Sequence, residues 1–146
     1  MKKTVLIDID HTLSDAAWRD QWLGQWDVYH SLADQDKPIQ DMVDMVRALY
    51  ATHFIPVGLT ARPERWRKPT MEWLIRHDIH FEELLMRPDK DFRPTAEMKL
   101  DLVKNRYPNM KEEIAFIMDD REDVLALFKA EGVHCLLIYG AHIRHV

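Results

Sequence analysis

Asp8 and Asp10 stand two residues apart where the apolar run Val5-Leu6-Ile7 gives out, and Thr12 follows at the same spacing. Residues two apart on a strand share a direction, so both carboxylates are expected to point the same way. Carboxylates held that close repel unless a cation or a shared proton compensates. The pair therefore suits a hard metal ion and carboxylate chemistry; the plain alternative is a solvated strand end. Thr60, Lys99 and the adjacent acids Asp119 and Asp120 follow further along the chain. Thr60 offers a hydroxyl to an anion, or else a simple helix N-cap. A helix opened by Ala61-Arg62-Pro63 would add free backbone N–H groups. Asp119 and Asp120 suit either a cation or the positive end of a helix, and Lys99 alone reads as a solvated lysine.

Their joint order says more than any one of them. A hard cation takes several oxygen ligands, which Asp8, Asp119 and the backbone carbonyl of Ile9 or Asp10 can supply. A phosphoryl group in transit needs its charge neutralised, and the metal, Lys99, Thr60 and backbone N–H groups can do that. One carboxylate can attack phosphorus to give an aspartyl-phosphate. A second can protonate the leaving oxygen and then activate water.

Short apolar runs alternate with amphipathic stretches. Strands are predicted at 4–9, 54–59, 83–86, 114–118 and 133–138, and helices at 15–24, 38–52, 63–77, 95–106 and 121–131. In the second helix Ile39, Met42, Val43, Val46, Leu49 and Tyr50 recur at helical spacing and make one apolar face. Trp18, Trp22 and Trp26 also recur at helical spacing, and such a stripe is expected to pack in the core or in a lid. The alternation predicts an α/β fold with a central parallel sheet covered by helices on both faces. Ligands of such sheets bind beyond the carboxyl ends of the strands, where every chemistry-bearing residue named above is expected.

The 146 residues suit one domain, 47% hydrophobic and 31% charged. A net charge of −5 argues against broad binding to duplex nucleic acid, which needs many Lys and Arg contacts to phosphate. A local basic pocket remains compatible with it. The single cysteine, Cys135, leaves no internal disulfide and sits in an apolar run, so a core thiol is expected rather than a nucleophile. Asp8 interrupts the N-terminal apolar stretch too early for a signal peptide. No run approaches the length of a membrane span. A cytoplasmic location is the expectation.

Asp8-Ile9-Asp10-His11-Thr12, Thr60, Lys99 and Asp119-Asp120 resemble the four ordered motifs of the haloacid dehalogenase superfamily of phosphohydrolases. The segments Thr60-Ala61-Arg62-Pro63, Leu85-Met86-Arg87-Pro88 and Met118-Asp119-Asp120-Arg121-Glu122-Asp123-Val124 are similar, more narrowly, to the 3′-phosphatase domain of bacteriophage-type polynucleotide kinase. The resemblance implies a three-layer Rossmann-like fold with a minimal cap or none, a single domain over 1–146, and Mg²⁺ as cofactor. It implies Asp8 as nucleophile and metal ligand, Asp10 as general acid/base and second acid of the metal site, and Asp119 and Asp120 as further metal-site acids. Thr60 and Lys99 become phosphate binders. Arg19, nine residues after Asp10, and Arg62 match arginines that matter in that domain, and with Thr12 and His11 they form the expected substrate contacts. Two positions depart from the pattern. His11 stands where the superfamily usually has glycine, and Thr95 stands where an acidic residue precedes the lysine in the kinase-linked relatives, with Glu97 nearer to it. The kinase motif GxxxxGK[ST] is absent.

The stretch from Asp10 to the helix at 38 is too short for a cap domain, so the site is expected to be open, covered at most by a lid-like segment 14–37. An open site suits a phosphorylated nucleotide or polynucleotide end. The cluster Arg62-Pro63-Glu64-Arg65-Trp66-Arg67-Lys68 adds positive charge, with Trp66 available to stack or to pack inside. Other readings are a 5′(3′)-nucleotidase, a small-molecule phosphomonoesterase, a phospho-accepting receiver domain and a catalytically silent interaction module. Motif order disfavours the receiver, whose doubled acids follow its first strand.

Overall fold

The computed structural model describes residues 3–139. Five strands form a parallel sheet: β1 (Lys3–Ile7), β4 (Phe54–Pro63), β5 (Glu83–Arg87), β6 (Ile114–Asp119) and β7 (His134–Leu137). Their spatial order is β5-β4-β1-β6-β7. The chain runs outward from β1 to β4 and β5, then returns to place β6 on the other side. The crevice between β1 and β6 is thus the switch point at which open α/β sheets bind ligands.

Alternation along the strands divides the interior into two cores. Leu6, Val57, Leu59 and Ile117 face one core with Val103, Val124 and Phe128, from the side of α4 (Thr95–Arg106), α5 (Met110–Glu113) and α6 (Glu122–Ala130). Val5, Ile7 and Met118 face the other, with Val43 and Val46 of α2 (Gln40–Leu49) and Trp73 and Leu74 of α3 (Arg67–Arg76). The three-layer α/β architecture is as predicted. Within α2 the expected face holds at Val43 and Val46, while Tyr50 at its end is exposed. Gly58 permits close packing of β4 on β5, because a Cβ there would lie 2.7 Å from Leu84 Cδ1 and 2.8 Å from Phe81 Cδ2. The end of α6 is a Schellman turn. Gly132, at φ +83°, donates to Lys129 O and Val133 to Phe128 O.

Two predicted elements differ. The helix expected at 15–24 is not there. Ser14–Asp15 (β2) pairs antiparallel with Lys37–Pro38 (β3), a 3₁₀ turn spans Ala17–Trp22, and a short helix α1 covers Trp26–Ser31. The reason is tertiary: Arg19 is drawn fully inside to meet two carboxylates, which a solvent-facing amphipathic helix would not allow. Nor are the tryptophans a buried stripe, since Trp18 and Trp26 are exposed. The second difference is β4, which continues through Thr60 to Pro63. Helix α3 begins only at Arg67, after a 3₁₀ turn. Thr60 is therefore a strand residue and not an N-cap, and no α-helix opens at Pro63 to present its N–H groups beside it. Cys135 is half-buried against the α6-side core, its thiol donating to Leu125 O and Val133 O, and burial raises its pKa.

Candidate active site

β1 stops at Ile7, and the chain past it is held by backbone bonds from Asp8 N to Met118 O (3.0 Å) and from Leu13 N to Ile9 O (2.8 Å). Within this turn His11 adopts φ +65°. That left-handed conformation favours glycine, which explains why glycine is the usual residue there in the resembling superfamily; histidine tolerates it at some cost. His11 Nε2 lies 3.9 Å from Asp20 Oδ1.

Asp8, Asp119 and Asp120 come together at the β1–β6 crevice, each buried, with a carboxylate oxygen of each within 4.8 Å of the others. Lys99, wholly buried on α4, donates to Asp8 Oδ1 (2.9 Å) and Asp119 Oδ2 (2.7 Å). Thr12 Oγ1 donates to Asp8 Oδ2 (3.1 Å), and the Arg121 N–H to Asp119 Oδ1 (3.0 Å). Burial above all, with further repulsion from Asp120 and Asp10, pushes the Asp8 carboxyl up to about 7 against the pull of Lys99. Burial and Asp8 push Asp119 up to about 6, and burial likewise pushes Asp120 up to about 6. The hydrogen bond between Asp8 and Asp120 favours the proton on Asp8. Lys99, held by Asp119 and Asp8, stays charged despite its burial.

Asp10 lies in a second charge cluster. Arg19 Nη2 and Arg62 Nη2 each donate to Asp10 Oδ1 at 2.8 Å, and Arg62 Nε to Oδ2 at 3.3 Å. Burial would raise the Asp10 carboxyl, but Arg62 and Arg19 outweigh it and hold the group far below the usual carboxylate range. Arg19 is itself gripped by Asp36, from Nε to Oδ1 (2.8 Å) and Nη2 to Oδ2 (2.7 Å), while Nη1 donates to Tyr29 O (3.0 Å). Its guanidinium carbon lies 4.3 Å from the Tyr29 ring centroid. Asp36 also accepts from Trp18 Nε1 (2.9 Å), and its carbonyl from Trp73 Nε1 (2.9 Å).

The two clusters balance differently. The charges of Asp10 and Asp36 are matched by Arg19 and Arg62. Three carboxylates at the crevice face the single ammonium of Lys99, and the excess equals the charge of one divalent cation. Hard oxygen donors at this spacing fit a magnesium-like ion. The Asp10 carboxylate stands outside that triad, so its remaining offer to a metal is the backbone carbonyl foreseen from the sequence.

A cleft of about 740 Å³ opens over this centre, lined by Asp8, Asp10, His11, Lys99 and Asp120 at its floor. Arg19 and Arg62, expected as substrate contacts, are fully buried behind Asp10 instead. Thr60 is buried, its Oγ1 accepting from Arg62 N–H (3.2 Å), and it is its neighbours Ala61 and Pro63 that line the cleft. Thr12 is buried against Asp8. Asp36 carries no signal in the sequence: an acid before Lys37-Pro38 belongs to no motif, and only the return of the 14–37 segment onto Arg19 reveals it. Trp66 is partly buried and does not line the cleft.

A family model described as "Polynucleotide kinase PNKP phosphatase domain" matches residues 2–141. A chain in a structure of a Pnkp1/Rnl/Hen1 complex superposes with a TM-score of 0.80 at 26% identity, over 96% of this chain and 47% of that one. A chain of a Pnkp1/Rnl/Hen1 RNA repair complex gives 0.82 at 26% identity, over 97% and 44%. The chain thus spans under half the length of these relatives. L-2-haloacid dehalogenase from Xanthobacter autotrophicus shares the fold, with a TM-score of 0.69 at 13% identity over 94% and 78%. No curated protein matches.

Proposed function

We propose that this chain, which belongs to the polynucleotide kinase PNKP phosphatase domain family, is a Mg²⁺-dependent phosphomonoesterase that removes a terminal phosphate from a polynucleotide end. The observation that carries the reading is the division of charge at the sheet edge. Asp8 sits in an under-neutralised acid triad, while Asp10, two residues on, sits in a matched arginine grip.

Asp8 attacks phosphorus; a P–O bond forms on its carboxylate as the ester P–O bond breaks. The departing oxygen takes a proton from Asp10. Water then attacks the aspartyl-phosphate and yields its proton to Asp10, releasing inorganic phosphate and restoring Asp8. Asp10 rests ionised, which suits the base half of this cycle. A phosphate dianion arriving nearby raises its proton affinity, so Asp10 takes from solvent the proton it gives to the leaving oxygen, and the proton regained from water returns to solvent as the product leaves. Thr12 and Lys99 fix the Asp8 carboxylate through opposite oxygens. A magnesium ion held by Asp8, Asp119 and Asp120 would neutralise charge on the transferring phosphoryl group. Arg19 and Arg62 position Asp10, Thr60 braces the backbone of Arg62, and His11 borders the substrate space. The 14–37 segment serves as a small fixed flap on one domain, in a cytoplasmic setting. No helix among the described residues is long and apolar enough to cross a membrane.

The test has two stages. Phosphate release from an aryl phosphate is measured with Mg²⁺ and with chelator, for the wild type and Asp8→Asn; equal activity in the variant would refute the nucleophile assignment. Turnover of a 3′-phosphorylated oligonucleotide is then compared with 3′- and 5′-mononucleotides. Action confined to mononucleotides would move the reading to a nucleotidase, and action confined to non-nucleotide esters would end the polynucleotide reading.

A further inference from the structure

We infer that the rim of the cleft carries a nucleobase subsite, in which Trp26 and Phe92 hold the bases of a single-stranded end whose phosphate reaches Asp8. The inference rests on the polynucleotide-end reading above and adds the part of the substrate that is recognised.

Trp26 lines the cleft yet remains 52% exposed. Its ring is braced from within its own helix, near-parallel to His30 (28°, centroids 6.1 Å apart) and edge-on to Tyr29 (5.5 Å). Phe92 lines the same cleft, belongs to neither core and is 89% exposed. A phenylalanine that exposed forgoes its burial, so its placement needs another explanation. The loop presenting it is fixed. Arg87 donates to the carbonyls of Asp91 (3.0 Å) and Arg93 (2.8 Å), the residues on either side of Phe92, and to Thr95 Oγ1 (3.1 Å). The ring is thus held out by design of the backbone and not by a loose loop.

The electrostatics point to the same ligand. Arg87 spends its bonds on neutral oxygens, and among the described residues neither it nor Lys90 has a carboxylate partner within ion-pair distance. Arg87 and Lys90 thus line the cleft together with the two exposed rings. Aromatic plates with unmatched cations are the chemistry that holds stacked bases on an anionic backbone without reading sequence. The His30 ring also lines the cleft. Burial holds its pKa down to about 4, so the neutral ring is available to a sugar hydroxyl or a base edge.

Steady-state kinetics of wild type, Trp26→Ala, Trp26→Phe and Phe92→Ala test this with two substrates. One is a single-stranded oligonucleotide bearing a 3′-phosphate; the other is the same strand with an abasic terminal nucleotide. Each alanine variant is expected to raise KM for the intact strand about tenfold with kcat retained, from the usual worth of one base–aromatic stack. Trp26→Phe should recover most of that loss, and the abasic strand should be nearly as poor for the wild type as for Trp26→Ala. If KM stays within twofold in both alanine variants, or if the abasic and Trp26→Ala losses add in full, the subsite is overturned while the polynucleotide reading stands. If the wild type hydrolyses aryl phosphate but no oligonucleotide, the substrate reading fails and the subsite with it.

Discussion

Replacing Asp36 by asparagine removes one charge and almost no volume from the arginine cluster, and should be costly. The carboxylate is fully buried and accepts from Arg19 Nε (2.8 Å), Arg19 Nη2 (2.7 Å) and Trp18 Nε1 (2.9 Å). Asparagine offers one acceptor oxygen in place of two and turns an NH₂ group toward a guanidinium. Arg19, also fully buried, keeps only Asp10 as a counter-charge. Removing one partner of a buried ion pair typically costs about 3–5 kcal/mol. The shape and the two hydrogen bonds to Oδ1 survive, so the low end, about 3 kcal/mol, is the expectation. For a chain of this size that is a fall in Tm of about 10 °C. Differential scanning calorimetry measures it, with Asp27→Asn as an exposed control expected to change stability by under about 0.5 kcal/mol. The same change should reduce kcat more than it raises KM, because Asp10 loses its alignment while substrate-contacting groups stay in place. A Tm within 2 °C of the control, together with kcat within twofold of wild type, would refute the idea that Asp36 holds Arg19 for Asp10.

The acid triad gives a pH dependence. Asp8 is pushed up to about 7 and Asp119 and Asp120 to about 6, so the metal-free fold binds more protons than the unfolded chain between the ordinary carboxylate pKa and these values. Its stability should therefore fall as pH rises through that window. Magnesium competes with those protons, so the rise in Tm it produces should be larger at pH 8 than at pH 5.5; an equal rise at both would contradict the assignment of these acids as ligands. Lys99→Met should abolish turnover and destabilise the metal-free protein by about 3 kcal/mol at pH 8. The loss should shrink at pH 5.5, where the stranded acids can take up protons, as paired chemical melts would show. His11→Gly should leave stability within about 0.5 kcal/mol of wild type, since relief of the left-handed backbone offsets the greater freedom of the unfolded chain. His11→Val should cost about 1–3 kcal/mol, as urea titration would show. Gly58→Val should cost a similar amount, about 1–3 kcal/mol, by overpacking against Leu84 and Phe81.

The sheet and its acids were legible because each rests on a short-range rule. Val5-Leu6-Ile7 and Ile114-Ala115-Phe116-Ile117-Met118 are apolar runs of strand length, and strands alternating with helices leave few topologies. That puts Asp8, Lys99 and Asp119-Asp120 at one edge from the sequence alone, and these do converge. The segment 14–37 was not legible in the same way. Its tryptophan spacing satisfies a helical period, yet its conformation is decided by Arg19, whose charge must be buried against Asp10 and Asp36 from opposite ends of the segment. No local propensity encodes that demand.

The chain thus dictated by itself which residues could do chemistry, since residue type and order along alternating strands and helices suffice for that. Only the tertiary structure decided how the charges were divided: Asp8 with a buried lysine and two more acids, Asp10 between two buried arginines. Two carboxylates only two residues apart acquire opposite shifts in proton affinity because burial and counter-charges come from residues distant along the chain, and only the fold sets those distances.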